Sequence, residues 1–134
     1  MVKLLMLILL PFLLGENWGD VIQSDQVATV IIYRKRSGMP KKIGLRIDGK
    51  QVIPSLKTNT YYEHRLDPGK VLLETKGDIF TELKQYSLTL EAGQTYYLEA
   101  VIEYQAFTTT MHLVRKSEKT AKEAIKNMKS EQVK

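Results

Sequence analysis

His64 and His112 are the only imidazoles in the chain, and they are the natural place to begin a search for chemistry. A catalytic or structural metal needs several ligands converging on one point, and ligands close in sequence usually stand at i, i+2 on a strand or i, i+4 on a helix. Neither histidine has a partner at such a spacing. A metal site would require the two to meet across strands, with Glu63 or Glu99 completing the set; the expectation is two ordinary strand histidines and no metal. Asp48 and Asp67 are a conceivable acid/base pair, but each precedes a glycine or a Pro-Gly pair, where aspartate serves the backbone of a turn. Cysteine is absent, which removes thiol nucleophiles, zinc ribbons, iron–sulfur clusters and disulfides. No G-x-S-x-G elbow, Gly-rich phosphate loop or H-E-x-x-H pair occurs. The chain therefore reads as a non-enzyme with no catalytic residues and no cofactor.

Residues suited to binding are more evident. Arg34, Lys35, Arg36, Lys41 and Lys42 form one basic stretch, and Arg115 to Lys134 carries seven Lys or Arg against three Glu, within a formal net charge of +5 for the whole chain. Such regions steer anionic partners over distance, and they also serve simply as solvated surface. Tyrosine occurs seven times, including the pairs Tyr61-Tyr62 and Tyr96-Tyr97. Neighbours on a strand point to opposite faces, so one member of each pair should be exposed, with Tyr61 and Tyr97 the candidates for ligand contact alongside the basic stretch. Stacking on glycan, peptide or single-stranded nucleic acid is the functional use of such rings; cross-strand packing is the structural one.

Strands must position these residues. Gln26 to Arg34 (QVATVIIYR) is apolar on both faces, as expected of a strand buried on both sides at the centre of a sandwich. Lys35 to Lys42 reads as a loop. Ile43, Leu45 and Ile47 alternate with smaller or polar residues, and Asp48-Gly49 supplies the positive-φ pair of a tight hairpin before Lys50 to Ile53. Thr60 to Leu66 should place Tyr62, His64 and Leu66 on one face. Asp67-Pro68-Gly69 should then turn the chain so that Lys70 to Thr75 returns antiparallel. Tyr86, Leu88 and Leu90 alternate cleanly, and Ala92-Gly93 turns. Tyr96 to Tyr104 gives the longest alternating series, with Thr95, Tyr97, Glu99, Val101 and Glu103 expected on an outward face. A last strand runs from about Thr108 to Val114. Ser117 then caps an amphipathic helix whose stripe is Ala121, Ala124, Ile125 and Met128; packing over the sheet's open face or edge accounts for that stripe better than a membrane surface does.

Seven to eight short strands separated by turns, one C-terminal helix and 43% hydrophobic residues in a chain of 134 predict one mainly β domain, an antiparallel β-sandwich of immunoglobulin-like or transthyretin-like type. The expected division is 1–19 as signal peptide or short N-terminal anchor, 20–25 as linker, 26–116 as sandwich, and 117–134 as helix and basic tail. The leader expectation rests on MVKLLMLILLPFLLG, with one charge at Lys3 and an apolar run too short for a spanning helix.

Four blocks, ATVIIYR at 28–34, LRIDGKQV at 45–52, LDPGKVLLE at 66–74 and SLTLEAGQTYYLEA at 87–100, resemble the domain-of-unknown-function family 2846. That family consists largely of short bacterial envelope proteins and putative lipoproteins. The resemblance implies an extracytoplasmic β-sandwich at the cell envelope, with no site residues to carry over. Glu16 stands where a lipoprotein's lipidated cysteine would be, so an exported, periplasmic or secreted protein is expected, with an uncleaved N-terminal anchor as the variant of that address. Function follows as an expectation: a non-enzymatic module making protein or glycan contacts at the envelope. The alternative is a binder of anionic ligands, such as lipid head groups, envelope polysaccharide or nucleic acid, through the basic loop and tail.

Overall fold

The computed structural model describes residues 26–37, 42–77 and 81–131. The leader of residues 1–19, the linker and Lys41 lie outside the described residues. Among these described residues, ten strands and one helix follow in order: β1 (Ala28–Arg34), β2 (Gly44–Ile47), β3 (Lys50–Ile53), β4 (Thr60–Leu66), β5 (Gly69–Lys76), β6 (Thr81–Glu82), β7 (Lys84–Leu90), β8 (Thr95–Tyr104), β9 (Thr109–Lys116), α1 (Glu118–Ile125) and β10 (Lys129–Glu131). They form a sandwich of two sheets. One has six strands in the order β10-β4-β1-β8-β9-β6, and the other four, β3-β2-β5-β7.

The main core lies between the sheets, where alternate residues of each strand meet: Val30 and Ile32 of β1, Leu45 and Ile47 of β2, Leu73 of β5, Leu88 and Leu90 of β7, Leu98 of β8, and Met111 of β9. β1 sits inside the larger sheet, between β4 and β8, and is buried on both faces as its unbroken apolar run requires. The second face is covered by α1. Ile31, Tyr33, Tyr97 and Ala121 make a separate small core, with Tyr61, Ala124, Ile125 and Met128 packed against it. The stripe expected of the helix is the surface that meets the sheet.

Three features differ from the sequence expectation. The sheets are not wholly antiparallel, because β1–β8, β10–β4 and β6–β9 are parallel pairs. The count reaches ten because β6 and β10, of two and three residues, add to the edges of the larger sheet. The Asp67-Pro68-Gly69 turn does not close a hairpin: β4 pairs with β1 and β10, whereas β5 pairs with β2 and β7 in the other sheet. Local turn chemistry reverses the chain, but core packing decides which sheet receives the next strand.

The Asp48-Gly49 hairpin forms as expected, with φ of 50° and 81°. The Asp48 carboxylate accepts from the Leu72 N–H at 2.9 Å, tying the turn to β5. This is the backbone service that its type suggested.

Candidate functional site

The basic stretch at the end of β1 separates into residues with different surroundings. Arg34 is 3% exposed, and its guanidinium donates to the Leu56 carbonyl. Burial lowers the Arg34 pKa from its usual value. Arg34 is therefore a correction to the predicted contact set, since its cation holds the β3–β4 loop rather than facing solvent. Lys35 and Arg36 are exposed and line a cleft with Ser37, Glu99 and Tyr104. Lys42 stands in another groove with Arg46, Gln51 and Lys76, on the outer side of the smaller sheet. The single patch suggested by sequence is thus divided between the two sheets, because the chain crosses from one to the other between β1 and β2.

The tyrosine pairs depart from expectation in the same way. Tyr62, Tyr96 and Tyr97 are 3%, 5% and 7% exposed. Tyr96 joins the main core, where Arg115 lies over its ring at 4.9 Å from the centroid, and its hydroxyl accepts from the Glu91 N–H at 2.8 Å. Tyr97 points to the other face and is covered by α1, so that only a rim of the ring predicted for ligand contact reaches the groove lined by Arg115 and Lys116. Tyr61 is half-buried against the same helix. The face expected to be outward became a second core because the C-terminal stripe needed an apolar surface to cover.

Glu99 lies on that second face and is 9% exposed. The Tyr33 hydroxyl donates to its Oε1 at 3.5 Å, and Lys35 and Lys116 bring their Nζ atoms to 3.7 and 3.9 Å. Burial, then the negative charge of Glu99 and the hydrogen bond to it, push the Tyr33 pKa up to about 12. A phenol held so firmly in its neutral form is no base at physiological pH. The group neutralises a buried carboxylate, and it draws part of the Lys35 charge away from solvent.

The two histidines do not converge. His64 lies on β4 on the same side as Tyr62 and Leu66, toward the main core, and burial lowers its pKa. His112 lies on β9 opposite in sense to Met111 and Leu113, which face that core. Two strands, β1 and β8, stand between them. His112 Nε2 contacts Glu103 at 3.3 Å and Thr110 Oγ1 at 3.1 Å. No group of three or more metal-type ligands occurs among the described residues.

The positive end of α1 is also occupied. Ser117 Oγ accepts from the Thr120 N–H at 3.2 Å, and Glu118 sits in the first turn and pairs with Lys122 at 2.8 Å. The nearby groove of Arg115, Lys116 and Ser117 therefore contains its own anion in Glu118.

Sequence reasoning missed the tip of the β8–β9 hairpin. Gln105 N–H donates to the Thr108 carbonyl at 2.9 Å, and Thr108 Oγ1 donates to Gln105 Oε1 at 3.1 Å, which closes a tight turn. That turn presents Phe107 at 87% exposure, while Tyr104 beneath it is 48% exposed and lines the cleft with Lys35 and Arg36. The available signal was a large aromatic, Phe107, in the four-residue connection Gln105-Ala106-Phe107-Thr108 between two strands. No family model matches the chain, and no curated protein matches it. Among the described residues, no helix is long and apolar enough to cross a membrane.

Proposed function

We propose that the protein is a non-enzymatic β-sandwich module of the cell envelope that makes protein or glycan contacts through the β8–β9 end of its larger sheet. The observation that carries this reading is the closed hairpin tip that holds Phe107 in solvent, with Tyr104, Lys35 and Arg36 beside it. An exposed phenylalanine on a braced turn loses little conformational entropy on binding and offers a large apolar area to a partner. Neighbouring cations and a phenol add polar contacts at the rim, the usual composition of a recognition surface. The envelope address rests on the expected leader of residues 1–19, and kinship with the envelope family is proposed on the four sequence blocks alone.

The test uses a photo-crosslinking amino acid at position 107, with position 51 as control, in protein expressed from the full chain and fractionated into cytoplasm, periplasm and membranes. The reading expects export and discrete adducts from position 107 only. Co-sedimentation with purified peptidoglycan then separates glycan from protein contact, and the double variant Tyr104→Ala, Phe107→Ala should lose about tenfold in either affinity. Binding through aromatics should persist in high salt, whereas ion-driven binding would collapse. Cytoplasmic retention, or adducts equal at positions 107 and 51, would overturn the proposal.

A further inference from the structure

The outer face of the smaller sheet gathers positive charge around a residue that has no side chain. Ile43, Leu45 and Ile47 are buried toward the core, so Lys42, Gly44 and Arg46 share the opposite face. Opposed residues of an antiparallel pair also share a face. Gly44 stands opposite Lys76 on β5, and Arg46 stands opposite Gln51 on β3. Lys42, Arg46 and Lys76 therefore surround Gly44 from three directions. With Gln51, Pro54 and Gly77 they line a groove of about 280 Å³. The carbonyl oxygens of Ile53 and Pro54 lie where a Cβ on Gly44 would meet them, which keeps the groove shallow.

The three cations are not neutralised within the described residues. Six lysines elsewhere each pair with a glutamate, whereas Lys42, Arg46 and Lys76 pair with none. The carboxylate best placed to do so is Glu74, which stands opposite Arg46 in the β2–β5 register. Its Oε2 instead accepts from the Gln85 amide at 3.1 Å, on the other side of β5. No described Asp or Glu lines the groove. Like charges gathered in so small a space repel one another, and a bound anion relieves that repulsion.

We propose that this groove binds the phosphate group of a small sugar phosphate. Charge complementarity names the group: a phosphate monoester carries close to two negative charges at neutral pH and three strong acceptor oxygens, for which three cations stand ready. Arg46 can fork two of those oxygens, while Lys42 and Lys76 act as point charges on either side. Gln51 adds an amide able to hydrogen-bond a neighbouring hydroxyl. No aromatic ring lines the groove, so a nucleobase would have nothing to stack on. Ligand sites span about 300–1,000 Å³, and a groove at the small end of that range suits one phosphorylated sugar rather than a length of polymer. A bilayer is disfavoured because Leu83, Tyr104, Phe107 and Val114, the exposed large hydrophobic residues described, all lie outside the groove. The site is separate from the β8–β9 surface, which belongs to the larger sheet.

The experiment follows backbone amide signals by NMR in protein purified after expression from the full chain, titrated with glucose 6-phosphate, inorganic phosphate, glucose and sodium chloride at matched ionic strength. Saturable shifts at Gly44, Arg46, Lys76 and Gly77 are expected from both phosphates, tighter for glucose 6-phosphate, and none from glucose. Arg46→Gln should weaken binding about tenfold. Arg46→Lys, which keeps the charge and loses the fork, should weaken it too. Lys70→Gln removes an exposed cation of the same sheet from outside the groove and should leave binding unchanged. If circular dichroism shows Arg46→Gln unfolded, the double variant Lys42→Gln, Lys76→Gln at two exposed positions decides. Tyr104→Ala, Phe107→Ala should retain sugar phosphate binding, and so small a ligand leaves position 51 without macromolecular adducts, so this site and the hairpin surface stand or fall separately. Shifts that never saturate, equal shifts from chloride, or equal weakening by Lys70→Gln would overturn the proposal. So would binding to phosphatidylglycerol vesicles without binding to glucose 6-phosphate, which would assign the groove to a lipid surface.

Discussion

Arg34 carries its charge at the end of β1 with 3% of its surface exposed, and the Leu56 carbonyl accepts a hydrogen bond from its guanidinium. A buried acceptor left without its donor costs about 1–3 kcal/mol, so Arg34→Met should lower the urea midpoint by that equivalent with an unchanged slope. Tyr33 gives a pH-dependent case. Below pH 10.0 both folded and unfolded chains retain the phenol proton, and its contribution to stability is complete. Between that value and about 12 the unfolded chain deprotonates first, so stability falls as pH rises. Tyr33→Phe should show a shallower decline over this window in denaturant titrations, while costing about 1 kcal/mol or less at neutral pH, since the bond to Glu99 is long at 3.5 Å.

At the scale of elements, β2 and β3 meet so closely that a Cβ on Gly44 would stand 2.8 Å from the Ile53 carbonyl oxygen and 2.9 Å from that of Pro54. Both obstacles are backbone, which cannot rotate away as a side-chain tip can. Gly44→Ala should therefore destabilise by about 1–3 kcal/mol, measured by thermal or urea unfolding, and should loosen hydrogen exchange in β3 before the larger sheet is affected. The glycine lies in a strand, where it costs backbone entropy, and the close approach explains its presence there.

At the scale of the whole molecule, the helix and β10 belong to the sandwich. α1 covers Ile31, Tyr33 and Tyr97, and β10 pairs with β4 in register from Lys129 opposite Thr60. Removing the chain after Lys116 would uncover that second core and free the β4 edge. The loss should be about 3–5 kcal/mol from the Ile125 and Met128 side chains and the tyrosine surface they cover, seen as a lower melting temperature and binding of a hydrophobic dye. A tail with only a surface role would leave both measurements unchanged.

The one-dimensional pattern determined what short-range chemistry can determine. Alternation placed Tyr96, Leu98 and Ala100 toward the core, positive-φ demand made Asp48-Gly49 a hairpin, and the spacing of Ala121, Ala124, Ile125 and Met128 set the helix face. The mainly β class and the C-terminal helix were legible for the same reason: period and turn residues are local properties. Of the predicted site, Lys35 and Arg36 stayed exposed, while Arg34 and Tyr97 went inside and Lys42 joined another groove. Those outcomes depend on residues distant in sequence. The Leu56 carbonyl lies 22 residues from Arg34, Tyr33 and Glu99 meet across 66, and Tyr97 is buried because the helix settles over β8. Which sheet received each strand after a turn, and hence which edges stayed open, was decided only when two sheets competed to bury their apolar faces in one core. That competition is a property of the assembled tertiary structure, and no local pattern encodes it.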